Sequence, residues 1–399
     1  MFNSITLDKI YQSLLIILAF LIPLTVFGAN LIIVIICIIW LFSGSYKTKF
    51  LQIINSKFLI SSIIFFIFHI IGLLWTDDLI WGFHMVHKMW YFFLLLPILF
   101  TLTKKENIKL YISAFLFAIA VTEVASYLVW LEFVEPFKNA TINNPTPFMS
   151  HISYNPILAF AIYLVLHELF FNKKIANFLF AFYSIFAISM TINMFITGGR
   201  AGQVCFFLVI AVLIFQVLDK QRIRAFITIL IIFPSIIITA YEFSDLFRYR
   251  ADLAISEVIN ISNTSNNSVG LRINFSKNSF DVFKENILFG VGTGDFPDEY
   301  RKINQINTPE LMTTTNPHNM YTLILMQLGL FGLFSMISIF YYQFKYAFNA
   351  QKKFIRNAGC TLPLMFLVMM LSDSYLLGHY TTLMYVFFSS FLYKDFEYN

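Results

Sequence analysis

Apolar runs alternate with short polar segments along almost the whole chain, and many of them are about 20 residues long, enough to cross a bilayer as an α-helix. Continuous runs of this length are typical of transmembrane helices. The pattern therefore predicts an all-α polytopic integral membrane protein with about twelve transmembrane helices. The predicted spans are approximately residues 10–28, 29–43, 58–75, 88–102, 109–133, 154–171, 177–197, 201–218, 225–241, 319–345, 358–376 and 378–393.

Basic residues are unevenly distributed between the segments that join these spans. With a cytoplasmic N-terminus, 17 of the 27 Lys and Arg residues fall in inside segments, three in short outside segments and seven in one long outside segment. The three are Lys88, Lys138 and Arg200. The 17 are Lys9, Lys47, Lys49, Lys57, Lys104, Lys105, Lys109, Lys173, Lys174, Lys220, Arg222, Arg224, Lys345, Lys352, Lys353, Arg356 and Lys394. Because inside loops carry an excess of Lys and Arg, we expect both termini to be cytoplasmic.

The composition supports this fold class. The chain is 58% hydrophobic and 12% charged, with a mean hydropathy of +0.74, whereas a soluble domain is about half apolar and a quarter charged. In such a protein a net charge of +5 does not indicate a nucleic-acid partner, and none is expected. Cys37, Cys205 and Cys360 lie inside apolar runs, where we expect packing rather than a disulfide or metal framework.

One long outside segment, residues 242–318, divides the chain. We expect residues 1–241 to hold nine spans and residues 319–399 to hold three, all in a single membrane domain. Loops of this length are usually functional or disordered.

The long segment has recognisable parts. A polar, Asn/Ser-rich linker, Asn260 to Ser268, precedes a predicted amphipathic helix, Leu271 to Glu285. A glycine turn with the sequence F-G-V-G-T-G-D-F follows. It lacks the Gly-Lys-Ser/Thr ending of a P-loop, so a nucleotide site is not expected.

Three cations near the outside face are candidate binding residues. Arg200 lies among three glycines in T-G-G-R-A-G-Q, a setting that lets a backbone or a ligand approach closely, although an interfacial anchor would have the same position. Arg272 begins the predicted amphipathic helix and would face either lipid headgroups or a cavity. Lys88 ends the stretch W-G-F-H-M-V-H-K, where a lysine is more often an anchor than a ligand.

His318 precedes the tenth predicted span in T-T-T-N-P-H-N-M-Y. Asn316 suits a cap and Pro317 the first helical position, which would place His318 in the first turn. The helix dipole there disfavours the imidazolium, so we expect a neutral ring able to act as a general base. A capping histidine is the plainer interpretation. Neither an H-E-x-x-H motif nor a Cys/His zinc spacing occurs, and no metal site is expected.

The arrangement around His318 resembles the O-antigen ligase family, which includes O-antigen polymerases and protein O-oligosaccharyltransferases. The family motif is His-Asn/Ser/Gln, nine residues, Gly, two residues, Gly/Thr/Tyr, and the chain has His318-Asn319, Gly329 and Gly332 at these spacings. A second motif, an arginine and a leucine with three residues between them, appears as R-A-G-Q-V with Val204 in place of the leucine. The L-L-W-T-D-D element, the glycine turn and the layout of the spans are also similar.

The resemblance implies a glycosyltransferase that moves a glycan from undecaprenyl diphosphate to a hydroxyl of lipid A-core at the periplasmic face of the inner membrane. His318 would take the hydroxyl proton, Arg200 and Arg272 would stabilise the diphosphate, and Lys88 would support them. Asn319, Gly329 and Gly332 would be the supporting residues of the motif that begins at His318. The reaction would invert the anomeric carbon and, because the diphosphate linkage supplies the energy, would require neither ATP nor another cofactor nor a metal.

Three alternatives stay open at this point. An O-antigen polymerase would extend the repeat units on the same lipid carrier, and a protein-glycosylating enzyme would be a third variant of the same chemistry. A transporter of polyprenyl-linked sugars would also be polytopic. Transporters generally keep ionisable or broken-helix sites near the midplane, however, and the predicted spans are nearly free of charge there.

Overall fold

The computed structural model describes residues 4–259 and 268–395. Helices make up 77% of the structure and no strand occurs among the described residues, which confirms the predicted all-α class. The seventeen α-helices of the described stretches are α1 (Ser4–Leu21), α2 (Val26–Phe42), α3 (Tyr46–Ile54), α4 (Lys57–Ile71), α5 (Leu79–Trp90), α6 (Leu96–Leu102), α7 (Ile108–Trp130), α8 (His151–Phe171), α9 (Asn177–Phe195), α10 (Arg200–Val217), α11 (Arg222–Phe243), α12 (Asp245–Ile259), α13 (Ser268–Glu285), α14 (Phe296–Asn307), α15 (Met320–Asn349), α16 (Lys353–Met369) and α17 (His379–Leu392).

The helices are long and apolar enough for a multi-pass membrane protein. Among the described residues, eight continuous helical stretches meet the length and hydropathy of a span, or nine if α2 and α3, which meet at a bend of 115°, count as one. Each of the twelve predicted spans falls on a helix, but α1, α2, α16 and α17 are not among the eight, and the last three have only 17, 17 and 14 residues. At ~1.5 Å per residue these three are shorter than a ~30 Å hydrocarbon core. The count of twelve is therefore not confirmed.

The chain forms two compact units. Unit 1 comprises residues 1–36, 104–253 and 351–365, and unit 2 comprises residues 37–103, 254–350 and 366–399. The predicted division at 241 and 318 concerns position relative to a membrane and stays a prediction.

The long segment carries α12, α13 and α14. The helix predicted for Leu271 to Glu285 lies within α13, which begins three residues earlier and ends at the same residue. The predicted linker from Asn260 lies outside the described residues up to position 267.

In unit 1, α8 is the most enclosed helix, and it packs against α9 and α10. The contact with α10 is close because of Gly202. A Cβ at this position would lie 2.2 Å from the Cβ of Asn155 and 2.6 Å from its backbone carbon. Only a glycine allows the two helix backbones to approach this far.

In unit 2, α15 packs on α4 and is broken at Gly329, which has φ 63° and ψ −158°. This conformation is essentially restricted to glycine. A Cβ on Gly329 would also lie 2.3 Å from the backbone carbon of Leu288. Gly332 is buried one turn further on and packs beside the Leu328 side chain.

The glycine turn supplies the backbone partners that the break removes. The Val291 and Gly292 N–H groups donate to the carbonyls of Met326 and Gln327, at 2.8 and 3.0 Å. On the other side of the break, the N–H groups of Leu330 and Phe331 donate to the carbonyls of Ile287 and Leu288, at 2.9 and 3.3 Å. Since buried backbone groups must be paired, this segment and the broken helix form one structural element.

The T-D-D residues that follow α4 attach to the same turn. The Asp295 carboxylate is buried and accepts from the Asp77 N–H at 2.9 Å and the Asp78 N–H at 2.8 Å. The Thr293 hydroxyl donates to the His69 carbonyl at 2.7 Å. Residues that are about 220 positions apart in sequence thus hold the long segment against the helices.

Candidate functional site

His318 stands just before α15 rather than in its first turn. Asn319 is the N-cap, because its side-chain oxygen accepts from the Thr322 N–H at 3.0 Å, and the helix begins at Met320. The assignment of Asn316 as the cap and Pro317 as the first helical residue is therefore wrong. His318 itself has φ 53°, a left-handed conformation that is uncommon outside glycine.

A small polar network holds His318 in this conformation. Its N–H donates to the Asn316 side-chain oxygen at 3.0 Å, and the same oxygen accepts from the Ser374 hydroxyl at 2.9 Å. The Nδ1 atom of His318 lies 3.3 Å from Oδ1 of Asp373. Asp373 Oδ1 also accepts from the Ser374 N–H at 2.7 Å. The loop between α16 and α17 thus fixes the imidazole from one side.

The electrostatics of the pair favour an ionised carboxylate. Burial of Asp373, whose side chain is 19% exposed, by itself raises its pKa. The hydrogen bonds from His318 and Ser374 and the positive charges of His318 and Arg272 outweigh burial and hold the pKa below its ordinary value of 3.8. With Nδ1 engaged by Asp373, proton exchange between the imidazole and another group must use Nε2.

Helix α13 covers another side of His318. The Phe275 ring is buried and stacks on the imidazole with ring centroids 6.2 Å apart and planes 24° apart. Arg272, one turn earlier on α13, is exposed and close enough for its charge to act on Asp373. The sequence left open whether Arg272 faces lipid headgroups or a cavity, and in the structure its charge acts on Asp373, the partner of His318.

Arg200 is the first residue of α10 and belongs to unit 1. Among its three neighbouring glycines, Gly199 and Gly202 are approached by α8 rather than by open space, and Gly198 faces the Asn144 side chain. The Gly198 N–H donates to Asn144 Oδ1 at 2.9 Å. The glycines therefore allow the segment between α9 and α10 to pack closely against α8 and Asn144. This packing fixes where α10 begins.

Two further cations are Lys88 and Arg250. Lys88 lies in the last turn of α5 in unit 2, one turn after His84. Arg250 on α12 was not singled out in the sequence. A side chain on Gly198 would lie 3.5 Å from its guanidinium, and its buried Nε has no hydrogen-bond partner among the described residues.

Sequence reasoning also missed Asp373. The stretch L-S-D-S-Y carries an acidic residue just after an apolar run, but an aspartate at a span end is an ordinary anchor or cap. Nothing along the chain joins it to His318, 55 residues away. In the parts that the structure describes, His, Cys, Asp and Glu residues do not gather in groups of three or more suited to a metal ion.

These helices define a multi-pass α-helical membrane protein with an acid-paired histidine ahead of a broken helix. Residues 185–337 match the family model described as O-antigen ligase, which confirms the predicted resemblance to the O-antigen ligase family. The matched region includes Arg200, Arg272 and the motif from His318 to Gly332. No curated protein matches the chain significantly. The family match points to a glycosyltransferase of the O-antigen ligase or polymerase type that acts on lipid-linked glycans.

Proposed function

We propose that this protein transfers an O-antigen-type glycan from undecaprenyl diphosphate to a hydroxyl of lipid A-core. The transfer takes place at the periplasmic face of the bacterial inner membrane, with both termini in the cytoplasm. The family match over residues 185–337 and the distribution of Lys and Arg support this proposal.

His318 acts as the general base. The acceptor oxygen attacks the anomeric carbon, the bond from that carbon to the diphosphate oxygen breaks, and the bonding electrons leave with the diphosphate. Nε2 of His318 takes the hydroxyl proton, and the Asp373 carboxylate stabilises the imidazolium that forms. Attack opposite the leaving group inverts the anomeric configuration. The contact between His318 and Asp373, 3.3 Å long, is the single observation that carries this assignment.

Arg200, Arg272 and Lys88 act on the diphosphate. Negative charge grows on the leaving group as the bond breaks, so a fixed cation stabilises the transition state more than the ground state. Arginine suits this task because its planar fork binds two phosphate oxygens at once. The diphosphate linkage already stores the energy of transfer, so the reaction calls for neither ATP nor a metal.

A gene deletion followed by gel analysis of the lipopolysaccharide tests the proposal. Loss of the long-chain ladder together with accumulation of carrier-linked polymer is expected for a ligase. Loss of the polymer itself would instead identify a polymerase, the nearest alternative. Purified protein supplied with lipid A-core and a carrier-linked chain separates the two directly, because only a ligase joins them.

A transporter of polyprenyl-linked sugars is the alternative from another class, and one buried residue favours it. Glu123 of α7 is 3% exposed and accepts a hydrogen bond from the Ser189 hydroxyl. An ionisable group inside a span is often functional. Turnover of the lipid-linked donor in detergent, where there is no gradient, is expected of the glycosyltransferase and is incompatible with a transporter.

A further inference from the structure

A buried amide on α8 contacts the connection between α9 and α10. Asn155, on α8, is fully buried. Its Oδ1 accepts from the Thr197 hydroxyl at 2.7 Å, and its Nδ2 donates to the Gly199 carbonyl at 3.3 Å. This side chain therefore joins Thr197, two residues after the end of α9, to Gly199, the residue that precedes Arg200.

Asn155 also contacts the chain on both sides of Arg200. A Cβ on Gly199 would lie 2.7 Å from Nδ2 of Asn155, and a Cβ on Gly202 would lie 2.2 Å from its Cβ. The first turn of α10 thus rests on Asn155 through the two glycines that flank Arg200. Because both glycines lack a side chain, a change in the volume or hydrogen bonding of Asn155 acts on the backbone at Gly199 and Gly202, on either side of Arg200.

We infer that Asn155 is a positioning residue that sets the place of the Arg200 guanidinium. The inference rests on the proposed function, in which Arg200 binds the lipid diphosphate. Asn155 does not itself contact the substrate in this account. A displacement of about 1 Å in a charged group at a reacting centre costs about 10²-fold in rate.

The same unit offers a matched control. Asn193, on α9, is also fully buried, and its Nδ2 donates to the Ser126 hydroxyl of α7 at 3.0 Å. Asn193→Ala and Asn155→Ala therefore each remove a buried amide side chain of the same kind. The Asn193 side chain joins two helices, whereas that of Asn155 holds the connection that leads to Arg200.

The test is a double-mutant cycle on purified protein, with kcat and KM for glycan transfer measured from the carrier-linked donor. We expect Asn155→Ala to lower kcat/KM about 10²-fold and Asn193→Ala to change it much less. In an Arg200→Ala background, Asn155→Ala should cause no further loss, because the group that it positions is absent. Equal losses for the two asparagine variants, or full additivity with Arg200→Ala, would overturn the inference.

One further variant, Thr197→Val, keeps the outcomes separate. If Asn155→Ala does not fold, Thr197→Val removes the hydroxyl that donates to Asn155 Oδ1 and that also lies 3.2 Å from the carbonyls of Asn193 and Met194. It should still lower kcat/KM in the presence of Arg200 and not in its absence. Absence of transfer by the wild-type protein, or wild-type activity of Arg200→Ala, would contradict the proposed function and remove the basis of the inference. A strong loss in Arg200→Ala with normal Asn155→Ala and Thr197→Val activity would overturn the positioning role alone.

Discussion

His318 and Asp373 form an imidazole–carboxylate pair in which Nδ1 lies 3.3 Å from Oδ1. The carboxylate accepts the Nδ1 hydrogen and so selects the tautomer whose Nε2 carries a lone pair. The imidazole side chain is 38% exposed, which leaves it accessible to a reactant. The pair therefore has the arrangement that a general base requires.

Asp373→Asn should lower kcat for glycan transfer by about 10²-fold or more, although the amide has nearly the same shape. An asparagine can present its NH₂ group to Nδ1 and so select the wrong tautomer, and it does not stabilise the imidazolium. Transfer kinetics of the purified variant check this. Asp298→Asn, on the exposed surface of α14, is the matched control and should behave like the wild type. Equal activity in the two variants would mean that Asp373 has no part in the reaction.

The same pair predicts an acid-dependent stability. Since Asp373 has a lowered pKa in the folded protein, its contribution is complete above its ordinary value of 3.8 and is lost as the pH falls through the lower folded value. The wild type should therefore have a higher melting temperature than Asp373→Asn at neutral pH. The two melting temperatures should converge as the pH falls below about 4. A constant difference between them across this range would contradict the assigned electrostatics.

Gly329→Ala should destabilise the protein by ~1–3 kcal/mol or more, because φ 63° and ψ −158° are strained for alanine and its Cβ would collide with the Leu288 backbone. The melting temperature in detergent measures this. Gly378→Ala provides the comparison, since φ there is −81° and the nearest atom to a Cβ is the Thr381 hydroxyl at 3.0 Å. A wild-type melting temperature for Gly329→Ala would show that the break in α15 does not depend on the glycine.

Arg200→Lys and Arg272→Lys should each reduce transfer strongly while preserving the charge. Lysine cannot form the paired hydrogen bonds of a guanidinium with a phosphate. Loss of one charge-assisted hydrogen bond, about 1.5–3 kcal/mol, corresponds to roughly 10- to 100-fold in rate. Arg301→Lys changes an exposed arginine of α14 that pairs with Asp298, and it should leave the rate unchanged. Full activity of Arg200→Lys would favour the interfacial-anchor interpretation.

The sequence predicted the helical class, the helix containing Arg272 and the motif around His318. These features are local, because a 20-residue apolar run and a fixed spacing can both be read along the chain. The end of α16 was harder to predict, since apolar residues continue past Met369 to Leu371. The start of α15 was misplaced because Asn316 and Asn319 both suit a cap, and only the bond from the Thr322 N–H decides between them.

The partners of the candidate site could not be predicted in this way. Asp373 lies 55 residues from His318 and meets it only through the packing of α15 beside the loop after α16. The glycines near Arg200 suggested an approaching ligand, whereas the approaching group is Asn155 of α8. In both cases the deciding contact is between residues that are distant in sequence.

The most direct test of the central claim, that His318 accepts the proton of the attacking hydroxyl, is the initial rate of glycan transfer by purified His318→Ala. The measurement needs carrier-linked donor, lipid A-core and protein with the wild-type melting temperature, and His84→Ala, an exposed histidine of α5, is the matched control. The account predicts a rate reduced by at least roughly 10²–10⁴-fold in His318→Ala and an unchanged rate in the control. A wild-type rate in His318→Ala would contradict it.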